Sequence, residues 1–326
     1  MTKQLTIKDT AKYLLEQDNF LILTHRRPDG DTLGSGAALC RALRNVGKTA
    51  FMLENAETTP RYSFLTAGLT VGDEFAPECI IAVDIATPEL FPTNALKYAA
   101  TASENSDDIV HLAVDHHPSN NGYAAATLCD PSRAACGELV YDLICELTTV
   151  DLDMATALYV AVSTDTGCFS YDNTTAETLA VSSKLVALGT PIAELNRTIF
   201  RAKSRGRIAV EGLVFTGMTF HFDDRAAIVV ISGKMLAETG ANEDDLDSIA
   251  ALPASIEGVL VGITIRELVN SNDCKISVRS SEGVDANVVC ARFGGGGHAR
   301  AAGFTSPLSP EEIRTQLLPV LEELLP

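Results

Sequence analysis

The sequence predicts an α/β protein of two domains, a parallel sheet with accompanying helices followed by a smaller mixed α/β domain. Three observations carry that expectation. Short apolar runs at residues 20–23, 79–83 and 109–114 have the length and β-branched content of buried strands, and helical or loop segments separate them. Each run stops at acids or histidines, and beyond the carboxyl ends of parallel strands is where loops meet and ligands bind. After residue 208 the pattern changes to alternating or continuous apolar stretches at 213–222, 226–231, 259–268 and 274–280, closed by a helix over 310–325. The 326 residues suffice for two cores.

In chain order, residues 1–19 read as an amphipathic packing helix with Ile7, Ala11, Leu14 and Leu15 on one side. The run from Phe20 leads into H-R-R-P-D-G-D, where Pro28 and Gly30 bend the backbone so that His25, Asp29 and Asp31 can converge. Asp29 and Asp31 suit a metal site, and they suit equally a turn that caps the following helix, over residues 32–45. Strands follow at 49–53 and 79–83, the latter running into Asp84, and the run from 109 ends in Asp115, His116 and His117. Residues 134–147, 152–164 and 175–188 have helical spacing, with Asp165 at the end of the second, either a terminal polar residue or a last ligand. Gly189 and Pro191 mark a boundary, so residues 1–190 form the first domain, 191–210 a linker helix and 211–326 the second domain. Arg201, Lys203, Arg205 and Arg207 make that linker the densest basic cluster, read as a solvated face before nucleic-acid contact. Near the end, Gly294 to Gly297 precede His298. Such a run is a hinge or an anion pocket, and the histidine favours the pocket.

Collected, His25, Asp29, Asp31, Asp84, Asp115, His116, His117 and Asp165 offer carboxylates and imidazoles without thiolates, which suits Mn²⁺ or Mg²⁺ better than structural zinc. One ion does not need so many acids, so the set points to two metals acting on a phosphate ester. His111 and His221 lie in apolar runs and read as packing residues. Eight cysteines with no C-x-x-C pair read as reduced, mostly buried thiols, Cys168 among them. The net charge of −18 opposes a long polyanion groove, so substrates are small and no long nucleic acid is expected. No apolar stretch approaches a membrane span and the amino terminus lacks a signal-peptide core, so the expected location is cytoplasmic and no membrane partner is expected.

The four segments His25 to Asp31, Asp84, Asp115 to His117 and Asp165, in that order, resemble the four motifs of the DHH phosphoesterase superfamily. G-G-G-G-H-A-R-A-A-G, residues 294–303, resembles the glycine-rich signature of the accompanying DHHA1 domain. In length and layout the chain is similar to the stand-alone NrnA group, bifunctional oligoribonucleases and phosphatases of 3′-phosphoadenosine 5′-phosphate (pAp). The resemblance implies an active site in the interdomain cleft and two divalent ions, Mn²⁺ ahead of Mg²⁺. It implies His25, Asp29 and Asp84 on one metal, and Asp31, Asp84, His116 and Asp165 on the other, with Asp84 bridging. Asp115 is implied to orient a histidine and His117 to face the substrate phosphate, the two forming the catalytic pair. Arg279, Ser280 and the loop Gly295, Gly296, Gly297 and His298 are implied to bind the nucleotide or its terminal phosphate. Short oligoribonucleotides and pAp are the implied substrates, and a homodimer the implied assembly. The alternatives are a cyclic di-AMP or pApA phosphodiesterase, a manganese pyrophosphatase, a processive single-strand exonuclease and a non-catalytic nucleotide-binding regulator. Thr32, where many relatives carry alanine, is a neutral departure.

Overall fold

The computed structural model describes residues 2–99, 109–246, 249–268, 271–281 and 283–326. The chain divides into two compact units, Met1–Ala202 and Lys203–Pro326. In the first, β1 (Lys3–Gln4), β2 (Phe20–Leu23), β3 (Ala50–Leu53), β4 (Thr70–Val71), β5 (Cys79–Val83), β6 (Leu112–Asp115) and β7 (Ala126–Cys129) form one sheet. Its order is β1-β7-β6-β5-β2-β3-β4, and every pairing is parallel. From β2 the chain steps outward to β3 and β4, then returns to β5 on the other side. The strand order therefore reverses between β2 and β5, and a crevice opens beyond their carboxyl ends.

Both faces of this sheet are covered, which is why its strands are apolar throughout rather than alternating. Phe20 and Ile22 pack among residues of α1 (Ile7–Glu16), α2 (Gly30–Asn45), α4 (Cys136–Leu147) and α5 (Leu152–Asp165), with the short α3 (Ser63–Thr66) at one margin. Leu21 and Leu23 face the opposite layer, built from Phe91, Ala95, Tyr98 and Tyr123. Helices α2 and α5 approach closely. A Cβ on Gly34 would stand 2.3 Å from the carbonyl oxygen of Ala157, so only glycine permits the contact. Two further helices, α6 (Ala176–Ala187) and α7 (Ile192–Asn196), complete the unit.

The second unit begins with α8 (Arg205–Gly217) and contains β8 (Thr219–His221), β9 (Ala226–Ile231), β10 (Val261–Glu267), β11 (Cys274–Ser280), β12 (Gly296–His298) and β13 (Ala301–Ser306). The order is β12-β13-β11-β10-β9-β8, with β9 and β10 parallel and the other pairs antiparallel. Here one face does alternate. Ile263, Ile265, Ile276 and Val278 pack with residues of α11 (Ala286–Ala291) and α12 (Pro310–Leu324), α9 (Gly233–Thr239) and α10 (Glu243–Leu246) having come earlier in the chain. Val229 and Ile231 turn the other way, onto Val210 and Val214 of α8.

Four expectations need correction. The linker helix over 191–210 is broken: α7 runs into a wider helical turn at Arg197–Arg201, Ala202 is extended, and Ser204 starts α8 afresh by accepting from the Arg207 amide. Its basic residues are partly neutralised, because Lys203 and Arg207 both pair with Glu211, at 2.6 and 2.9 Å. The strand expected over 213–222 is helical to Gly217, since Val210 and Val214, four residues apart, both pack on β9, leaving only Thr219–His221 extended. Residues 1–19 are not one helix, because Lys3–Gln4 pair with β7 before α1 begins. Cys168 is half-buried, in a left-handed turn with φ +55.

Candidate metal centre

The carboxyl ends of β2, β5 and β6 deliver the side chains. After β2, Asp29 caps α2, its Oδ1 accepting from the Asp31 and Thr32 amides, and the same oxygen lies 3.6 Å from His25 Nε2. The turn-and-cap reading and the ligand reading of this aspartate thus hold together. After β5, Asp84 takes φ +59, a left-handed conformation that aspartate tolerates better than most residues. Its carboxylate is 3% exposed and central: Oδ2 is 3.8 Å from His25 Nε2, and Oδ1 is 3.5 Å from both His116 Nε2 and His117 Nδ1. After β6, His116 reaches the Asp31 and Asp165 carboxylates at 3.8 and 3.5 Å, Asp165 standing at the end of α5. Three sets of candidate ligand atoms result, His25–Asp29–Asp84, Asp31–His116–Asp165 and Asp84–His116–His117, each with its atoms within 4.8 Å of one another.

The imidazoles are turned to present their Nε2 lone pairs. Nδ1 of His25 donates to the Arg26 carbonyl at 2.8 Å, and Nδ1 of His116 to the Arg133 carbonyl at 3.1 Å. His117 differs. Its Nδ1 donates to Asp115 Oδ1 at 2.8 Å, and its side chain is 41% exposed, more than that of His25 or His116. Asp115 is fully buried and its oxygens are occupied by the His116 and His117 amides, the His117 ring and Asn120 Nδ2.

The electrostatics divide the carboxylates. Burial, reinforced by the charges of Asp165 and Asp29, pushes Asp31 well above the usual carboxylate range. Asp84 is pushed up by burial and then by Asp31, Asp29, Asp115 and Asp165 together, and Asp165 is raised chiefly by burial. Burial also acts on Asp29 and Asp115, yet both are held low because hydrogen bonds and charge from His25 and His117 respectively outweigh it. His117 is raised by its bond to Asp115. Asp84 Oδ1 is buried with no hydrogen-bond partner. An orphaned acceptor among unwilling carboxylates is what a divalent cation relieves, and the oxygen-rich donor set fits one. The nearby Cys136 thiol donates to the Val114 carbonyl instead.

Several supporting residues escape sequence reading because their signals are single, common polar residues. Asp31 is held by Ser35 Oγ and by the Cys136 and Gly137 amides at the start of α4. Buried Asn55 donates to the His25 carbonyl. Thr32, read as neutral, donates to the carbonyl of Val83 and so ties α2 to the strand carrying Asp84. The expected substrate-binding residues belong to the second unit. Arg279 of β11, Ala301 of β13 and His298 of β12 are in register, so they share one row of the sheet. Ser280 Oγ donates to the Ala299 carbonyl. The glycines have a packing reason of their own: a Cβ on Gly295 would lie 2.4 Å from the Gly303 oxygen, and Gly297 has φ +151. Gly296–His298 form an edge strand rather than a hinge.

A parallel sheet whose switch point gathers these acids and imidazoles around a buried, unpaired carboxylate oxygen defines a metal-dependent hydrolase acting on phosphoester bonds. Residues 19–162 match the DHH family, N-terminal domain, and residues 224–325 match the DHHA1 domain. The chain belongs to the DHH family. It is 32% identical over 293 residues to the bifunctional oligoribonuclease and PAP phosphatase NrnA of Thermus thermophilus, covering 87% of this chain and 83% of that protein. The protein of the same name from Bacillus subtilis is 25% identical over 292 residues, covering 88% of each. In fold, the chain is similar to an exopolyphosphatase-related protein from Bacteroides fragilis, with a TM-score of 0.85 at 23% identity over 98% of this chain and 96% of that one. Among the described residues no helix is long and apolar enough to cross a membrane.

Proposed function

We propose that the chain hydrolyses short oligoribonucleotides and pAp to mononucleotides, using two divalent cations, Mn²⁺ ahead of Mg²⁺. The observation that carries this reading is the placement of Asp84. Its two oxygens address His25 on one side and His116 on the other, as a carboxylate shared between two cations must. The substrates follow from what the Thermus and Bacillus relatives are named for.

His25, Asp29 and Asp84 would hold one cation, and Asp84, Asp31, His116 and Asp165 the other. Bound there, the cations would neutralise phosphate charge and lower the pKa of an attacking water. The chain's own groups do the rest. Asp115 locks the His117 tautomer and raises the ring's hold on its proton, so an Nε2–H can stabilise the phosphate or protonate the leaving oxygen. The four donors on Asp115 hold that ring in place without drawing the carboxylate into the cation shell. In the second unit, Arg279, Ser280 and the loop from Gly295 to His298 would hold the nucleotide. The reading includes small substrates in the cytoplasm and a homodimer formed by the first unit.

The test is product release from pAp, pApA, a five-nucleotide RNA, cyclic di-AMP and pyrophosphate, each with Mn²⁺, with Mg²⁺ and with chelator. Metal-dependent mononucleotides from short RNA and phosphate from pAp are expected. Activity confined to cyclic di-AMP or pyrophosphate would overturn the substrate assignment.

A further inference from the structure

The loop between His25 and Asp29 carries two consecutive arginines that the metal set does not use. Arg26 and Arg27 are both exposed, and both line a cavity of about 390 Å³ whose wall also includes Glu57, Glu89, Phe91 and Leu96. Neither side chain has a hydrogen-bond or ion-pair partner among the described residues, although two glutamates share the cavity. In a chain of net charge −18, two consecutive arginines that line one concavity without an acidic partner leave their positive charge available to an anion.

The backbone beneath them is held. The Arg26 amide donates to the Leu90 carbonyl at 2.7 Å, and the Arg26 carbonyl receives His25 Nδ1. Arg27 adopts φ +50, a conformation a non-glycine residue keeps only where its surroundings impose it. The floor is rigid too: Phe91 is 3% exposed and stacks edge-on with Tyr123, whose hydroxyl donates to the Ile85 carbonyl, one residue after Asp84. The cavity is thereby fixed to two segments that supply the candidate metal ligands, while the ligand residues themselves do not line it.

We propose that Arg26 and Arg27 form a second phosphate subsite in the first unit, which takes the phosphate flanking the same ribose as the phosphate held at the metal centre. The ligand class is a nucleotide with phosphates on both sides of one ribose, a description met by pAp and by each internal unit of an oligoribonucleotide. The exposed Glu57 and Glu89 carboxylates accept hydrogen bonds from ribose hydroxyls or base amino groups, and exposed Leu96 covers the sugar or base. A mononucleotide product carries one phosphate and cannot fill both places, so hydrolysis itself weakens the product's hold. The inference rests on the phosphoesterase reading above and adds a specificity element to it.

The test is equilibrium dialysis against the full-length protein with Mn²⁺ at low salt, for wild type, Arg26→Ala/Arg27→Ala and Arg279→Ala, of 5′-AMP and of a pAp analogue whose 3′-phosphate is replaced by a non-hydrolysable phosphonate (pAp in the binding outcomes below), because the active protein would consume pAp itself. Wild type is expected to bind pAp at least about tenfold tighter than 5′-AMP. The double variant is expected to lose about 10- to 100-fold on pAp and to bring it down to the 5′-AMP level, as removal of one or two charge-assisted contacts requires. Its Mn²⁺-induced rise in melting temperature reports that the loop still forms. If the double variant does not fold, Thr93→Trp, which adds bulk at another lining position of the cavity, must remove the same margin. A wild type without the margin, a double variant that keeps it, a parallel loss on both ligands, or a margin abolished only by Arg279→Ala overturns the inference. A protein that shows the margin and yet releases no product from pAp or short RNA leaves the subsite standing and removes the hydrolase reading instead.

Discussion

Asp84→Asn should make the metal-free protein more stable while removing its response to metal. The substitution keeps shape, and asparagine accepts the left-handed backbone at φ +59 as readily as aspartate. What changes is charge. Asp29 and Asp84 present oxygens within 4.8 Å, and Asp31 and Asp165 do the same. At an effective dielectric of about 20, a unit pair at that distance repels by roughly 3.5 kcal/mol. Part of this is already relieved by proton uptake on the raised Asp84 and Asp31 groups and by the raised His25, where Asp29 outweighs burial. A net gain of about 1–2 kcal/mol remains, or roughly 2–8 °C for a unit of this size. Mn²⁺ at a hundredfold excess over its dissociation constant should raise wild type by about 2.7 kcal/mol. The variant should lose most of that gain. Differential scanning fluorimetry at pH 7.5, with chelator and with Mn²⁺, orders the four samples: the variant melts above wild type without metal and below it with metal. The sign with pH follows. Asp31, Asp84 and Asp165 have folded values above 3.8, so their stabilising contribution is complete below that pH and is lost as pH rises through the raised values. The Mn²⁺ increment should therefore grow from pH 6 to pH 8. A metal-free variant less stable than wild type would mean that Asp84 is a satisfied structural carboxylate, and the argument for a cation would fall.

Three further outcomes are expected. His117→Ala should lower turnover of short RNA at least about 100-fold while leaving the Mn²⁺ stabilisation within experimental error, because the ring serves substrate rather than cation; steady-state kinetics beside melting curves separates the two. Gly34→Ala should cost about 3 kcal/mol by urea titration, since the new methyl group meets the Ala157 carbonyl at 2.3 Å and neither helix can retreat from the sheet. Glu211→Gln should flatten the acid limb of stability in the second unit. Burial opposes ionisation of Glu211, but Lys203 and Arg207 outweigh it and hold the group below 4.5, so its contribution is present above that pH and lost as pH falls through the depressed value. Urea midpoints between pH 3.5 and 6 should show the wild type, and not the variant, losing about 1 kcal/mol from this group.

The elements that sequence patterning located well are those whose length and neighbours leave little choice. β5 and β11 have the bounds that their apolar runs suggest, and β2 stops where the His25 loop begins. Lys3–Gln4 and Thr70–Val71 were invisible because two residues carry no period, and they become strands only by pairing with an edge already formed. Residues 213–217 were misread for a related reason: L-V-F-T-G is as apolar as a strand, and only the Ser204 cap, thirteen residues before Gly217, says that a helix has already started. In the site, the acids and histidines stand out because they are dense and close each strand. Their supports do not, since Ser35, Asn55 and Asn120 are ordinary residues until the fold brings Asp31, the His25 carbonyl and Asp115 to them.

Those supports also sort the carboxylates, which composition alone could not do. Asp115 receives three hydrogen bonds on Oδ1 and one on Oδ2, so its charge is consumed within the protein and it can only orient. Asp31 receives two on Oδ1 and one on Oδ2, which aims the carboxylate while leaving acceptor capacity towards His116. Asp84 Oδ1 receives none, in a position as buried as either. A fold that supplies amides, a hydroxyl and a carboxamide to two neighbours within one cluster has donors at hand, so the bare oxygen between them fits the proposed cation rather than a protein donor. The same reasoning separates His117 from His25 and His116. Two rings spend Nδ1 on backbone carbonyls and bring Nε2 to the carboxylates, whereas the third spends it on the saturated Asp115 and is the most exposed of the three.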